Sequence, residues 1–91
     1  MSDAFERTVV IQNRFGLHAR PAAEFVKAAH GFDAEVWVRK EDLEVNGKSI
    51  MGMMMLAAEH GAEIVIRAAG SDAERAVETL TALVNDRFGE D

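Results

Sequence analysis

The hexapeptide Gly16-Leu17-His18-Ala19-Arg20-Pro21 brings an imidazole, a guanidinium and a proline together. A histidine can act as a nucleophile through a ring nitrogen, and an arginine fork matches the oxygens of a phosphoryl group. Proline, with φ locked near the helical value and no N–H, suits the first turn of a helix. A strand-like run leads in from Arg7 to Gln12 and a helical run leads out from Ala22 to Ala29. His18 therefore falls at the N-cap, a position usually held by Ser, Thr, Asp or Asn. A helix start offers unpaired N–H groups and the positive end of a dipole, which would stabilise an attached phosphate by about 0.3–1 kcal/mol. A cation is mildly unfavourable there, so Arg20 makes more sense as a phosphoryl ligand than as a solvated first-turn side chain. A histidine beside a turn is most often a plain surface residue, but these surroundings point to one that becomes phosphorylated.

A second helix start lies at Ser49. Its simplest reading is an N-cap; the sharper one is a regulatory phosphorylation site, since phosphoserine is tolerated at a helix N-terminus and would repel an acidic partner. Ile50, Met51 and Met54 follow. Methionines on a short helix are more often core than interface, but their surplus over one face makes an adaptable apolar docking patch. His30 and His60 each precede a glycine expected to end a helix, where a cation suits the dipole, and both read as structural. Three scattered histidines without cysteine do not make a metal site, and no cofactor is implied.

The elements that must position these groups follow from periodicity. Residues 5 to 12 alternate as a half-buried strand, with Val9 and Ile11 on one side and Thr8, Val10 and Gln12 on the other. Asn13 to Gly16 is the turn out of it. Ala22, Phe25, Val26 and Ala29 make the apolar face of the first helix, and Gly31 is expected to end it with a left-handed φ. Glu35 to Arg39 is a strand with Val36 and Val38 inward, and Leu43 to Val45 returns antiparallel to it. Asn46-Gly47 then connects strand to helix, because Lys48 to Ala58 is helical in composition. In that helix Ile50, Met53, Leu56 and Ala57 share the face assigned to the core, with His60-Gly61 as its end. Glu63 to Ala68 is a strand with Ile64 and Ile66 inward. Ser71 and Glu74 read as a capping box for a third helix that buries Ala73, Ala76, Val77, Leu80, Val84 and Phe88 and ends at Gly89. The last three residues are expected to fray.

The order β-α-β-β-α-β-α predicts an α+β two-layer sandwich, a four-stranded antiparallel sheet with three helices on one face. The other face, carrying Thr8, Trp37 and Val65, is left open. The chain has 91 residues, 48% of them hydrophobic, enough for one domain over 1–91. A formal net charge of −6 disfavours nucleic acid and fits protein partners with basic patches. No run approaches the roughly 20 apolar residues of a membrane span, and the N-terminal stretch lacks the pattern of a signal peptide. A cytoplasmic monomer is the expectation.

Gly16 to Ala23 with Phe25-Val26, and Asn46 to Gly52, resemble the histidine-containing phosphocarrier protein family, HPr, of the bacterial phosphotransferase system. The resemblance runs from about Arg7 to Phe88. It implies that His18 takes a phosphoryl group on Nδ1 from phospho-enzyme I, itself charged by phosphoenolpyruvate, and passes it to a histidine of an enzyme IIA. It implies Arg20 as phosphoryl ligand, Ser49 as the target of an ATP-dependent HPr kinase/phosphorylase, and contact with a regulatory protein. Phe15, Ile50, Met51 and Met54 would form the docking surface. Such a carrier has no turnover of its own. Phe15 stands where sugar-pathway members commonly carry a small polar residue. Gly31 to Val36 and the acidic tail resemble the nitrogen-related branch, NPr, whereas Lys48 to Gly52 is similar to kinase-regulated members. His18 sets the chain apart from catabolite-repression paralogues that lack the active histidine. The competing class is a non-catalytic module of the same fold that binds a partner through the methionine patch.

Overall fold

A computed structural model describes residues 3–90. The elements are β1 (Ala4–Val10), α1 (Ala19–Ala29), β2 (Glu35–Lys40), β3 (Leu43–Asn46), α2 (Ile50–Met55), β4 (Glu63–Ala69), α3 (Ala73–Asn85) and a closing 3₁₀ turn, Arg87–Gly89. The sheet order is β1-β4-β2-β3 and every pairing is antiparallel. The expected α+β sandwich, with its four-stranded sheet and three helices in the order β-α-β-β-α-β-α, is the observed architecture. Among the described residues no helix is long and apolar enough to cross a membrane.

Register decides which face is dry. Val9 pairs with Ile64 and Val38 with Ile66, so the apolar sets of three strands fall on one side and are buried. Phe25 and Val26 of α1 and Val77, Leu80 and Val84 of α3 close over them. Burying each such side chain contributes roughly 1.5–3 kcal/mol before entropy is counted. On the other face Thr8 pairs with Val65, and Trp37 with Arg67. The Arg67 guanidinium lies 4.2 Å from the Trp37 ring centroid, a cation–π contact that shields part of this open face.

Asn46-Gly47 is indeed a strand-to-helix connection. Gly47 donates its N–H to the Val36 carbonyl at 2.8 Å, and a Cβ there would come within 2.5 Å of Val36 Cγ1. The neighbouring strand leaves no room for a side chain at this crossing.

Several boundaries differ from the sequence reading. The second helix stops at Met55, because Ala57 turns left-handed (φ 49) and Ala58 drops into the core. Ile50 and Ala57 are consequently exposed, and only Met53 and Leu56 of the predicted face are buried. Methionine, leucine and alanine all favour helix, but by tenths of a kcal/mol per residue. A tertiary hydrogen bond from Leu17 N–H to the Ala58 carbonyl (2.8 Å) and the burial of Ala58 outweigh that. His60 therefore caps no helix; it sits in the turn before β4. Gly31 is not left-handed either. The Gly31 and Phe32 N–H groups bond to the carbonyls of Ala28 and Ala29, a right-handed 3₁₀ exit.

The capping box does not form. The N-cap of α3 is Asp72, and its carboxylate caps nothing within the helix. It accepts instead from the backbone N–H of Asp33 (2.9 Å) and Ala34 (2.8 Å), tying the loop after α1 to the start of α3. The Asp33 hydrogen bond is the main cause holding the Asp72 carboxyl below its ordinary value. Desolvation opposes it, and Ala34, the residue's own backbone and Arg75 add to the lowering. At the other end α3 stops at Asn85 rather than Gly89. Arg87 and Phe88 are both left-handed (φ 58 and 55), and this reversal still buries Phe88.

Candidate functional site

The loop between β1 and α1 is built by a buried asparagine. Asn13 is fully enclosed, and its side-chain N–H₂ donates to the Gly16 carbonyl at 2.7 Å, while the Gly16 N–H returns to the Asn13 carbonyl at 3.2 Å. Gly16 takes φ 69, and a Cβ on it would come within 2.5 Å of the Ala58 carbonyl oxygen. Only glycine satisfies both demands. Leu17 then donates to that same carbonyl and buries its side chain. The loop is thus pinned to the segment that follows α2, which sets the start of α1 beside the end of α2, while Lys48, just before α2, donates to the Phe32 carbonyl beyond the end of α1 at 2.7 Å.

His18 emerges as the N-cap of α1 in extended backbone (φ −77, ψ −173), and its carbonyl accepts the first helical bond, from Ala22 at 3.0 Å. The side chain does not cap the helix. Instead Nε2 lies 3.1 Å from Glu90 Oε2 and 3.3 Å from Oε1. Glu90 Oε1 also accepts from Asn13 Nδ2 at 3.0 Å. A carboxylate only accepts hydrogen bonds, so Nε2 carries the proton. A neutral ring then holds its lone pair on Nδ1, which has no hydrogen-bond partner among the described residues. That is the arrangement a nucleophilic Nδ1 requires.

Phe15 stands out from the loop, 72% exposed, with its ring edge-on to His18 at 6.3 Å and 87°. Arg20, in the first turn of α1, is exposed and makes no hydrogen bond or ion pair with any described residue. Phe15, His18, Arg20, Phe88, Gly89 and Glu90 line one shallow cleft of about 480 Å³. The predicted site residues His18, Arg20 and Phe15 therefore do come together. A guanidinium, an uncapped helix start and a free imidazole nitrogen in one cleft suit a phosphoryl group.

Ser49 caps α2 as expected, its Oγ accepting from the Gly52 N–H at 3.0 Å. Beyond it Ile50 (44% exposed), Met51 (76%) and Met54 (45%) form an exposed apolar surface, which Met55 extends. Asn13 and Glu90 were not among the residues singled out from sequence. Asn13 heads an Asn-x-x-Gly turn, a pattern that marks a side chain able to bond the loop's own backbone. Nothing local marks Glu90, 72 positions from its histidine. The expectation of a frayed tail fails at Gly89 and Glu90, because the Arg87–Phe88 reversal delivers Glu90 to the cleft; Asp91 lies outside the described residues.

Comparison with known proteins agrees with this geometry. Residues 5–86 match the family model described as PTS HPr component phosphorylation site. Over 85 residues the chain is 48% identical to the phosphocarrier protein HPr of Neisseria meningitidis serogroup A, covering 93% of this chain and 96% of that protein. It is 42% identical over 81 residues to the HPr-like protein Crh of Bacillus subtilis, covering 89% and 95%. The crystal structure of HPr-C-His from Thermoanaerobacter tengcongensis superposes with a TM-score of 0.92 at 45% identity, covering 96% of this chain and 98% of that one. The chain belongs to the HPr family of phosphocarrier proteins of the phosphotransferase system.

Proposed function

We propose that this protein carries a phosphoryl group on His18 Nδ1, received from phospho-enzyme I and passed to a histidine of an enzyme IIA. The observation that carries this reading is the Glu90 carboxylate on Nε2, which leaves Nδ1 as the nucleophile. In the transfer a P–N bond to the donor breaks as one to Nδ1 forms. The ring gains positive charge, which the Glu90 carboxylate at 3.1 Å stabilises, and Arg20 binds the phosphoryl oxygens. The protein has little covalent work of its own; position and charge supply the catalysis. Incubation with enzyme I and phosphoenolpyruvate should add one acid-labile phosphoryl group, absent in His18→Ala. No mass change in the intact protein would overturn the reading.

Phe15, Ile50, Met51 and Met54 are the proposed docking surface, and Ser49 a control site beside it. Phosphorylation there would add about −1.5 to −2 charge at the edge of an apolar surface that partners must cover. ATP and an HPr kinase from the same cell test this, and an unmodified Ser49 reduces it to a helix cap. The carrier would work as a cytoplasmic monomer. The likeness to Crh supports a second reading, a regulatory module that binds a partner without carrying phosphate. It requires partner binding that survives His18→Ala unchanged, together with no phosphorylation by enzyme I.

A further inference from the structure

Beside the His18 cleft lies a second hollow, of about 370 Å³, lined by Gln12, Arg14, His60 and Arg87. In a chain with 16 Asp or Glu and 10 Lys or Arg, no carboxylate of the described residues lines it. None of the three basic side chains forms an ion pair among the described residues, and their chain neighbours Glu59 and Asp86 make none with them. Guanidinium groups do not deprotonate, so the two that line this hollow repel each other unless an anion joins them.

The backbone pays for this arrangement. Arg87 and Phe88 are consecutive left-handed residues, neither of them glycine. Strain of this kind persists where the surroundings hold it in place and concentrates at functional sites. Here the reversal serves both hollows at once. Phe88 and Glu90 line the cleft of His18, while Arg87 lines the neighbouring one. The loop after β1 divides in the same way, with Phe15 on one side and Arg14 on the other, and the Arg14 guanidinium is steadied 5.7 Å from the Phe15 ring centroid.

We propose that Arg14, Arg87 and His60 form a second anion site, distinct from the His18 cleft, that binds phosphate, free or as a small phosphate ester. Two guanidinium forks can each meet a phosphate oxygen pair, and the imidazole adds a third donor. The site does not rest on the phosphocarrier reading, since it needs no transfer at His18.

The test is an amide NMR titration of the full chain with inorganic phosphate, and separately with glycerol 3-phosphate, against chloride at matched ionic strength. Saturable shifts at residues 14, 60 and 87 are expected with phosphate and not with chloride. Arg14→Gln with Arg87→Gln should weaken binding about tenfold or more, whereas His18→Ala should leave it unchanged. If the double variant is unfolded, each single substitution should still weaken binding. Tighter binding of the ester identifies a metabolite site, and equal binding identifies a site for phosphate itself. Shifts that match chloride, or binding lost in His18→Ala but kept in the arginine variants, would overturn the proposal. So would an absence of phosphate binding combined with loss of enzyme I association in the double variant, which would give the hollow to a protein partner's carboxylates.

Discussion

The Glu90 carboxylate meets the His18 imidazole at 3.1 Å through Nε2, across 72 positions of sequence. It determines which ring nitrogen carries the proton, and through that which one can attack. Glu90→Gln keeps the size but removes the charge that stabilises a cationic ring. Phosphorylation of His18 by enzyme I should slow about tenfold, the worth of roughly one charge-assisted hydrogen bond. Nitrogen-15 NMR of the ring should show Nε2–H dominant in the parent and a mixture of tautomers in Glu90→Ala. An unchanged tautomer ratio would remove Glu90 from the mechanism.

Asn13 holds both the Gly16 carbonyl and Glu90 with one amide group. Asn13→Ala strips the buried carbonyl of its donor and should cost about 1–3 kcal/mol. For a domain of this size that lowers Tm by roughly 4–8 °C per kcal/mol. Phosphoryl acceptance should fall as well, since Glu90 loses its anchor. A melting temperature within a degree or so of the parent's, read by circular dichroism, would contradict the assignment.

Asp72 couples stability to pH. Its folded-state pKa lies below the ordinary value of 3.8, chiefly through the Asp33 N–H. As pH falls the unfolded chain takes up this proton first, so the unfolded state gains. The contribution of Asp72 is therefore complete above the unfolded value and is lost as pH drops through the lower folded one. Urea midpoints of the parent and Asp72→Asn should differ at neutral pH and converge as pH falls below the ordinary 3.8 and through the lower folded value. A difference that persists in acid would mean that the carboxylate charge is not what matters.

At Ser49 two roles can be separated. Ser49→Ala removes the oxygen that accepts from Gly52 and should lose about 0.5–2 kcal/mol of stability. Ser49→Asp restores a capping acceptor and should recover most of it. If added charge obstructs docking, the aspartate variant alone should take up phosphate from enzyme I more slowly. Equal rates in the two variants would leave Ser49 as a cap only.

Much of this protein is legible along the chain because its signals are local. Val36 and Val38, or Ile64 and Ile66, show the sheet's inner face by simple alternation. Pro21 after His18 shows a helix start with an imidazole at its cap, and Ser49 shows the second. Those features rest on φ preferences and on period, which act over a few residues. The boundaries misjudged at Ala57, Ser71 and Gly89 have a common cause. At each, a contact from a distant segment outweighs a propensity worth tenths of a kcal/mol. Leu17 claims the Ala58 carbonyl, the backbone at Asp33 and Ala34 claims Asp72, and Phe88 turns into the core.

The sequence by itself determined the fold class, the helix start that bears His18 and the cation at Arg20, because residue type and spacing carry each of these. Only the tertiary structure decided which nitrogen of His18 is free, that Glu90 is the ring's partner and that Asn13 holds Glu90 in turn. It also gathered Arg14, His60 and Arg87 around one hollow. Such pairings depend on where the chain reversal at Arg87 and Phe88 delivers its side chains. No local preference encodes that; it is set by the packing of α3 against the sheet and by the burial of Phe88 beyond it.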